Sequence, residues 1–178
     1  MLSKVRRLSV NVFVVVGLLL VVVPATPVAA ALPHMSWPTV GRETQPFGCT
    51  GYKLEPRHGD CPHFHGGVDI ANKRGTPVRA AADGTITYVG LEPWYHGRDR
   101  AWVVVIGHGN GVVTIYVHLL AKPMDGIKRG RDVVMGQQIG LMGMTGRATG
   151  YHLHFGVRVN GEWVDPIRYL PGSSPPLK

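Results

Sequence analysis

The stretch WVVVIGHGNGVVTIYVH, residues 102–118, holds two runs of β-branched and aromatic residues on either side of Asn110-Gly111. Such runs favour the pleated, half-buried surface of a strand, and Asn-Gly is a strong signal for a tight reversal between paired strands. The stretch therefore predicts an antiparallel hairpin of strands 102–107 and 112–118. Working outward, further short apolar runs bounded by turn residues predict strands near 68–71, 77–81, 84–90, 138–143 and 152–159, with Asp83-Gly84 as another turn. No segment after residue 31 keeps a 3.6-residue apolar period between caps, which excludes long helices. The composition agrees: 24 glycines and 14 prolines in 178 residues suit a chain of short strands and turns, and 44% hydrophobic with 17% charged residues excludes intrinsic disorder. The fold class expected is all-β: one compact antiparallel sheet domain with short connecting loops.

The N-terminus reads differently. Lys4, Arg6 and Arg7 precede an unbroken apolar run from Val12 to Val23, followed by Pro24 and the small residues Ala29, Ala30 and Ala31. This order predicts a secretory signal peptide over residues 1–31, the alternative being an uncleaved membrane anchor. Without it the net charge falls from +8 to +5, because three basic residues leave with it. Residues 32–48 read as a proline-punctuated lead-in, 49–171 as the working domain and 172–178 as a disordered tail. Export to an oxidising compartment favours a disulfide between Cys49 and Cys61; as zinc thiolates they match no zinc-finger spacing.

Three fragments carry chemistry. In His65-Gly66-Gly67-Val68-Asp69 the histidine and aspartate are four residues apart, an even number that places them on one face of an extended segment. In His152-Leu153-His154-Phe155 the imidazoles share one strand face and the apolar residues the other. The third, Tyr116-Val117-His118-Leu119, ends a strand on a histidine. Taken singly, each reads more simply as an ordinary surface or hydrogen-bonded histidine. Together with Asp69 they supply the imidazoles and carboxylate typical of a hydrolytic zinc site with an open water position. No His-Glu-x-x-His helix is present, so acid–base assistance falls to histidine.

With these residues in place, the chain resembles the LytM/lysostaphin-type zinc metallopeptidases, peptidase family M23, over roughly Gly41 to Leu170. The resemblance lies in HGGVDIANKRGTPVRAAADG (65–84), GHGNG (107–111), YVHL (116–119), GQQIGLMGMTGRATGYHLHFGVRVNG (136–161) and Val164-Asp165-Pro166. It implies a compact antiparallel domain with an open groove, one Zn²⁺ per chain held by His65, Asp69 and His154, and His118 and His152 as the catalytic pair. It also implies hydrolysis of peptide bonds in peptidoglycan cross-links or bridges by an exported, monomeric enzyme of the cell envelope. Membrane contact is expected only if the N-terminal segment is uncleaved, and no specific nucleic-acid partner is expected. Gly156, where many relatives carry glutamate, and Val117, where alanine is common, depart from the pattern. The insertion EPWYHGRDR (92–100) reads either as a solvated hairpin tip or as a groove wall through Trp94, Tyr95, Arg98 and Arg100. His34, His58, His63, His96 and His108 receive no metal or catalytic role. Two other readings stand beside the enzyme: a non-catalytic envelope regulator of the same fold, and a basic module binding wall polymer or nucleic acid, for which +5 is modest.

Overall fold

The computed structural model describes residues 33–121 and 124–178; the predicted signal segment, 1–31, lies outside them. Twelve strands follow in order: β1 Arg42–Gln45, β2 Gly48–Cys49, β3 Phe64–His65, β4 Val68–Ala71, β5 Pro77–Arg79, β6 Gly84–Leu91, β7 Trp102–Gly107, β8 Val112–Leu119, β9 Asp132–Val133, β10 Gln138–Leu141, β11 His152–Val159 and β12 Glu162–Val164. A 3₁₀ turn, Pro166–Tyr169, closes the series, capped by Asp165, whose carboxylate accepts from the Ile167 N–H.

Eight strands form one antiparallel sheet in the order β1-β4-β11-β8-β7-β6-β9, with β12 also on β11. Two small ribbons, β10-β5 and β2-β3, complete the fold. The hairpin at 102–118 forms as its sequence predicts, and Gly109, Asn110 and Gly111 all take positive φ in its reversal. The strands expected at 68–71 and 152–159 have those bounds. Sequence reading missed β1, β2, β3, β9 and β12; these are two to four residues long, too short to show a period.

Alternation along the strands sorts the side chains. Val68, Ile70, Ile86, Ile106, Tyr116, Leu153, Phe155 and Val157 fill the main core on one face, with Val78 and Ile139 of the β5-β10 ribbon packed against them. On the other face Ala101, Val103, Ile115 and Val117 make a smaller apolar cluster beside Trp163. The 32–48 segment, read as a lead-in outside the domain, belongs to the body: Met35 is fully buried, the Ser36 N–H donates to the Ala81 carbonyl, and β1 borders β4. Residues 172–178, read as a disordered tail, pack back onto the domain, where Pro175 is buried and the Gly41 N–H donates to the Pro176 carbonyl (2.9 Å). A Cys49–Cys61 disulfide closes the 49–61 loop, with Cα atoms 5.7 Å apart.

Candidate metal centre and groove

Register brings two of the candidate residues together. β4 and β11 pair with Asp69 directly opposite His154, while Val68, Ile70, Leu153 and Phe155 turn into the core. Apolar alternation on both strands thus places the carboxylate and the imidazole on the same outer face.

His65 arrives by a different route from the one its spacing suggested. It lies not on a continuous extended run with Asp69 but on β3, paired with Gly48 of β2, and Gly66-Gly67 carries the chain across to β4. A side chain at Gly67 would overlap the Phe155 carbonyl oxygen and lie 3.0 Å from His154 Cε1, so only glycine lets the crossing run this close. His65 is 1% exposed, and its Nδ1–H donates to the Pro46 carbonyl (2.8 Å). Because a carbonyl only accepts, that bond leaves the Nε2 lone pair free.

The outcome is a tight triangle. His65 Nε2 lies 3.0 Å from Asp69 Oδ1 and 2.8 Å from His154 Nδ1, and His154 Nδ1 lies 3.0 Å from Asp69 Oδ1. Among the described residues this trio is the group of ligand-type side chains that converges on one point. Three electron-pair donors crowded this closely call for a cation, and the spacing lets one ion sit ~2.0–2.2 Å from all of them, as zinc does with nitrogen and oxygen. Burial favours the neutral form of the Asp69 carboxyl, but the His154 and His65 imidazoles beside it hold it far below its ordinary range even without an ion.

His118 reaches the site by breaking the alternation. Tyr116 and Leu119, three residues apart, both enter the core, so one extra residue is accommodated between them. The β7-β8 register shifts at this point, between the pairs Trp102–Leu119 and Val104–Tyr116, and His118 has φ of 65°. This is a β-bulge, which swings His118 out to the face that carries His65, Asp69 and His154. Thr145 completes it: the hydroxyl accepts from the Trp102 N–H (2.8 Å) and donates to the Leu119 carbonyl (2.7 Å), while the Thr145 carbonyl accepts from His118 Nδ1–H (2.7 Å). His152, facing Asp69 Oδ2 at 3.6 Å, donates from Nδ1 to the Gly150 carbonyl (2.9 Å). The His118 and His152 rings are 4.6 Å apart. Burial, followed by the neighbouring His152, pulls the His118 pKa down to about 4.

These residues line a cleft of about 400 Å³. The disulfide-closed loop contributes Tyr52, Leu54 and Glu55; the 92–100 insertion contributes Glu92, Trp94 and Tyr95; Arg147 to Thr149 form a third wall, and Trp163 flanks the floor. Of the four insertion residues singled out in the sequence, Trp94 and Tyr95 line the cleft. Arg98 is exposed away from it, and Arg100 turns back to donate to the Leu91 and Glu92 carbonyls, where it braces the hairpin. The remaining histidines stay apart from the metal-type cluster. His63 bonds the Glu55 carbonyl, and His108 links the Asp83 carbonyl through Thr114 to the buried Tyr116 hydroxyl. Sequence reading did not single out Thr145, Arg147 or Trp163. The first two stand within eight residues of His152, but neither forms a pattern with it.

The sequence model of peptidase family M23 matches residues 63–166, more than half of the chain and all of the histidines just described at the centre. The chain belongs to peptidase family M23. Among M23 relatives it is 42% identical over 127 residues to the DD-carboxypeptidase/endopeptidase Mpg of Neisseria meningitidis serogroup B, which covers 71% of this chain and 26% of that protein. It is 30% identical over 149 residues to the murein hydrolase activator NlpD of Salmonella dublin, covering 83% of this chain and 34% of that one. A zinc-containing peptidase from Vibrio cholerae superposes with a TM-score of 0.58 at 33% identity, covering 74% of this chain and 39% of the other. The chain thus spans about a quarter to a third of the length of these curated M23 relatives. The nearly all antiparallel β architecture is that of the LytM/lysostaphin-type fold.

Proposed function

We propose that this protein is an exported zinc metalloendopeptidase that hydrolyses peptide bonds in bacterial peptidoglycan. The observation that carries the reading is the triangle of His65 Nε2, Asp69 Oδ1 and His154 Nδ1 at 2.8–3.0 Å, open to a cleft that also holds His118 and His152. In this reading the trio binds one zinc ion, which supplies a Lewis acid and a bound water with its pKa lowered to ~7. His118 and His152 each have Nδ1 committed to a backbone carbonyl, which leaves Nε2 of both rings as a proton acceptor. Burial and the neighbouring His152 keep His118 neutral at physiological pH, so its Nε2 presents a lone pair to the cleft. The ring that takes the proton of the attacking water at Nε2 thereby becomes the donor that returns it to the departing amine. The envelope setting is supported by relatives whose names refer to the wall, a peptidoglycan DD-endopeptidase and a murein hydrolase activator.

The test uses zinc-loaded protein with purified cross-linked peptidoglycan and defined muropeptides, with released fragments identified by mass spectrometry. Metal-dependent release of peptide is expected. His154→Ala should lose zinc and activity together, whereas His118→Ala should keep zinc and lose turnover; zinc loss in the second variant overturns the assignment. A second reading, a non-catalytic activator, is favoured by the likeness to the murein hydrolase activator. It predicts no release by the zinc-loaded protein itself and faster release by a separate wall hydrolase.

A further inference from the structure

Arg147 occupies an unusual position in the cleft. It is the one lysine or arginine among the described residues that line it, five residues before His152 and two after Thr145, whose carbonyl holds His118. Its guanidinium lies over the Tyr95 ring, 4.6 Å from the centroid, and Nη1 donates to the Leu54 carbonyl (3.1 Å). These contacts tie together three loops distant in sequence and anchor the otherwise exposed group. They use one N–H, whereas a guanidinium has five N–H donors in a rigid fork.

Among the described residues no carboxylate pairs with the group. Glu55 and Glu92 line the same cleft, but Glu55 accepts from the Gln45 amide (3.2 Å) and Glu92 from the Ala101 N–H. The ion pairs found among the described residues all join Asp69 to a histidine. A guanidinium held over an aromatic ring, with free donors and no carboxylate paired to it among the described residues, is preorganised to take a carboxylate in a paired hydrogen bond.

We propose that Arg147 forms a carboxylate subsite of the cleft, so that the preferred ligand is a peptide carrying a free carboxylate close to the bond presented to the His65–Asp69–His154 centre. The inference rests on the peptidase reading for what the bound peptide undergoes, though not for the binding itself. A cross-link built on a diamino acid offers such a carboxylate; a bridge of glycines offers none, and the fork would go unused.

The experiment compares two synthetic cross-link peptides that differ in one group, the free carboxylate beside the scissile bond or its carboxamide. Dissociation constants by calorimetry and kcat/KM are measured for the zinc-loaded wild type, Arg147→Gln and Arg147→Lys. The wild type should favour the acid by about 10-fold or more, the range expected for a hydrogen-bonded charge pair. Arg147→Gln should abolish the preference by weakening the acid alone, and Arg147→Lys should keep part of it. Equal wild-type affinity for acid and amide overturns the subsite. So does a parallel loss for both ligands in Arg147→Gln, which is the signature of a residue that only staples loops. If Arg147→Gln does not fold, the acid-to-amide ratio in Arg147→Lys decides, an unchanged ratio counting against the proposal. Acid-selective binding without cleavage of either peptide keeps the subsite and sinks the peptidase reading; cleavage without selectivity does the reverse.

Discussion

Replacing Thr145 by valine removes one hydroxyl and keeps the shape of the side chain. That hydroxyl serves the Trp102 N–H and the Leu119 carbonyl, the backbone groups flanking the bulge in the β7-β8 ladder. Leaving such a group unpaired costs about 1–3 kcal/mol when buried, and partial access of water at this site puts the total for both near 2 kcal/mol. For a domain of this size that lowers the melting temperature by about 4–8 °C. The bulge is what aims His118, and the Thr145 carbonyl is the hydrogen-bond partner of its ring. We therefore expect turnover to fall about tenfold while zinc content is unchanged. Thr145→Ser, which keeps the hydroxyl, should restore most of both. Calorimetric melting, metal analysis and kcat on a defined muropeptide make the comparison. Unchanged melting and turnover in Thr145→Val, or a serine variant as damaged as the valine one, would refute the role given to the hydroxyl.

Gly67→Ala should lose about 1–3 kcal/mol and bind zinc more weakly, because the new methyl meets the Phe155 backbone and His154, neither free to yield. Gly51→Ala, with nothing within 4 Å, should be neutral in urea unfolding and marks the baseline. In metal-free protein the depressed His118 pKa makes stability fall as pH drops from 6.5 towards 4, because the unfolded chain takes up the proton first. The full effect is on the order of 3 kcal/mol, and His118→Gln should remove that part of the slope between pH 7.5 and 4.5. Loss of the disulfide in Cys49→Ser/Cys61→Ser should cost ~2–4 kcal/mol and loosen the groove wall of Tyr52 and Leu54, read as a lower urea midpoint.

Sequence alone reached the all-β class, the 102–118 hairpin and the shared face of His152 and His154, since these follow from local alternation and turn chemistry. Its side-chain period of two also foretold that Asp69 would stand opposite the core residues Val68 and Ile70. Periodicity has no access to how strands pair, and there the tertiary structure decided. The β4-β11 register sets Asp69 against His154, and a carbonyl 19 residues upstream, that of Pro46, selects the tautomer of His65. His118 is the clearest case. Strict alternation would send it into the core between Tyr116 and Leu119, and only the bulge and its hydrogen bonds to Thr145, 27 residues away, turn the ring outward. The same holds for the groove: among the insertion residues, packing brought Trp94 and Tyr95 to the cleft and spent Arg100 on carbonyls, while the cation that faces the cleft, Arg147, came from another loop. Residue types and their local period are written along the chain, but the pairing energies that choose register, bulge and loop contact exist only once distant segments meet.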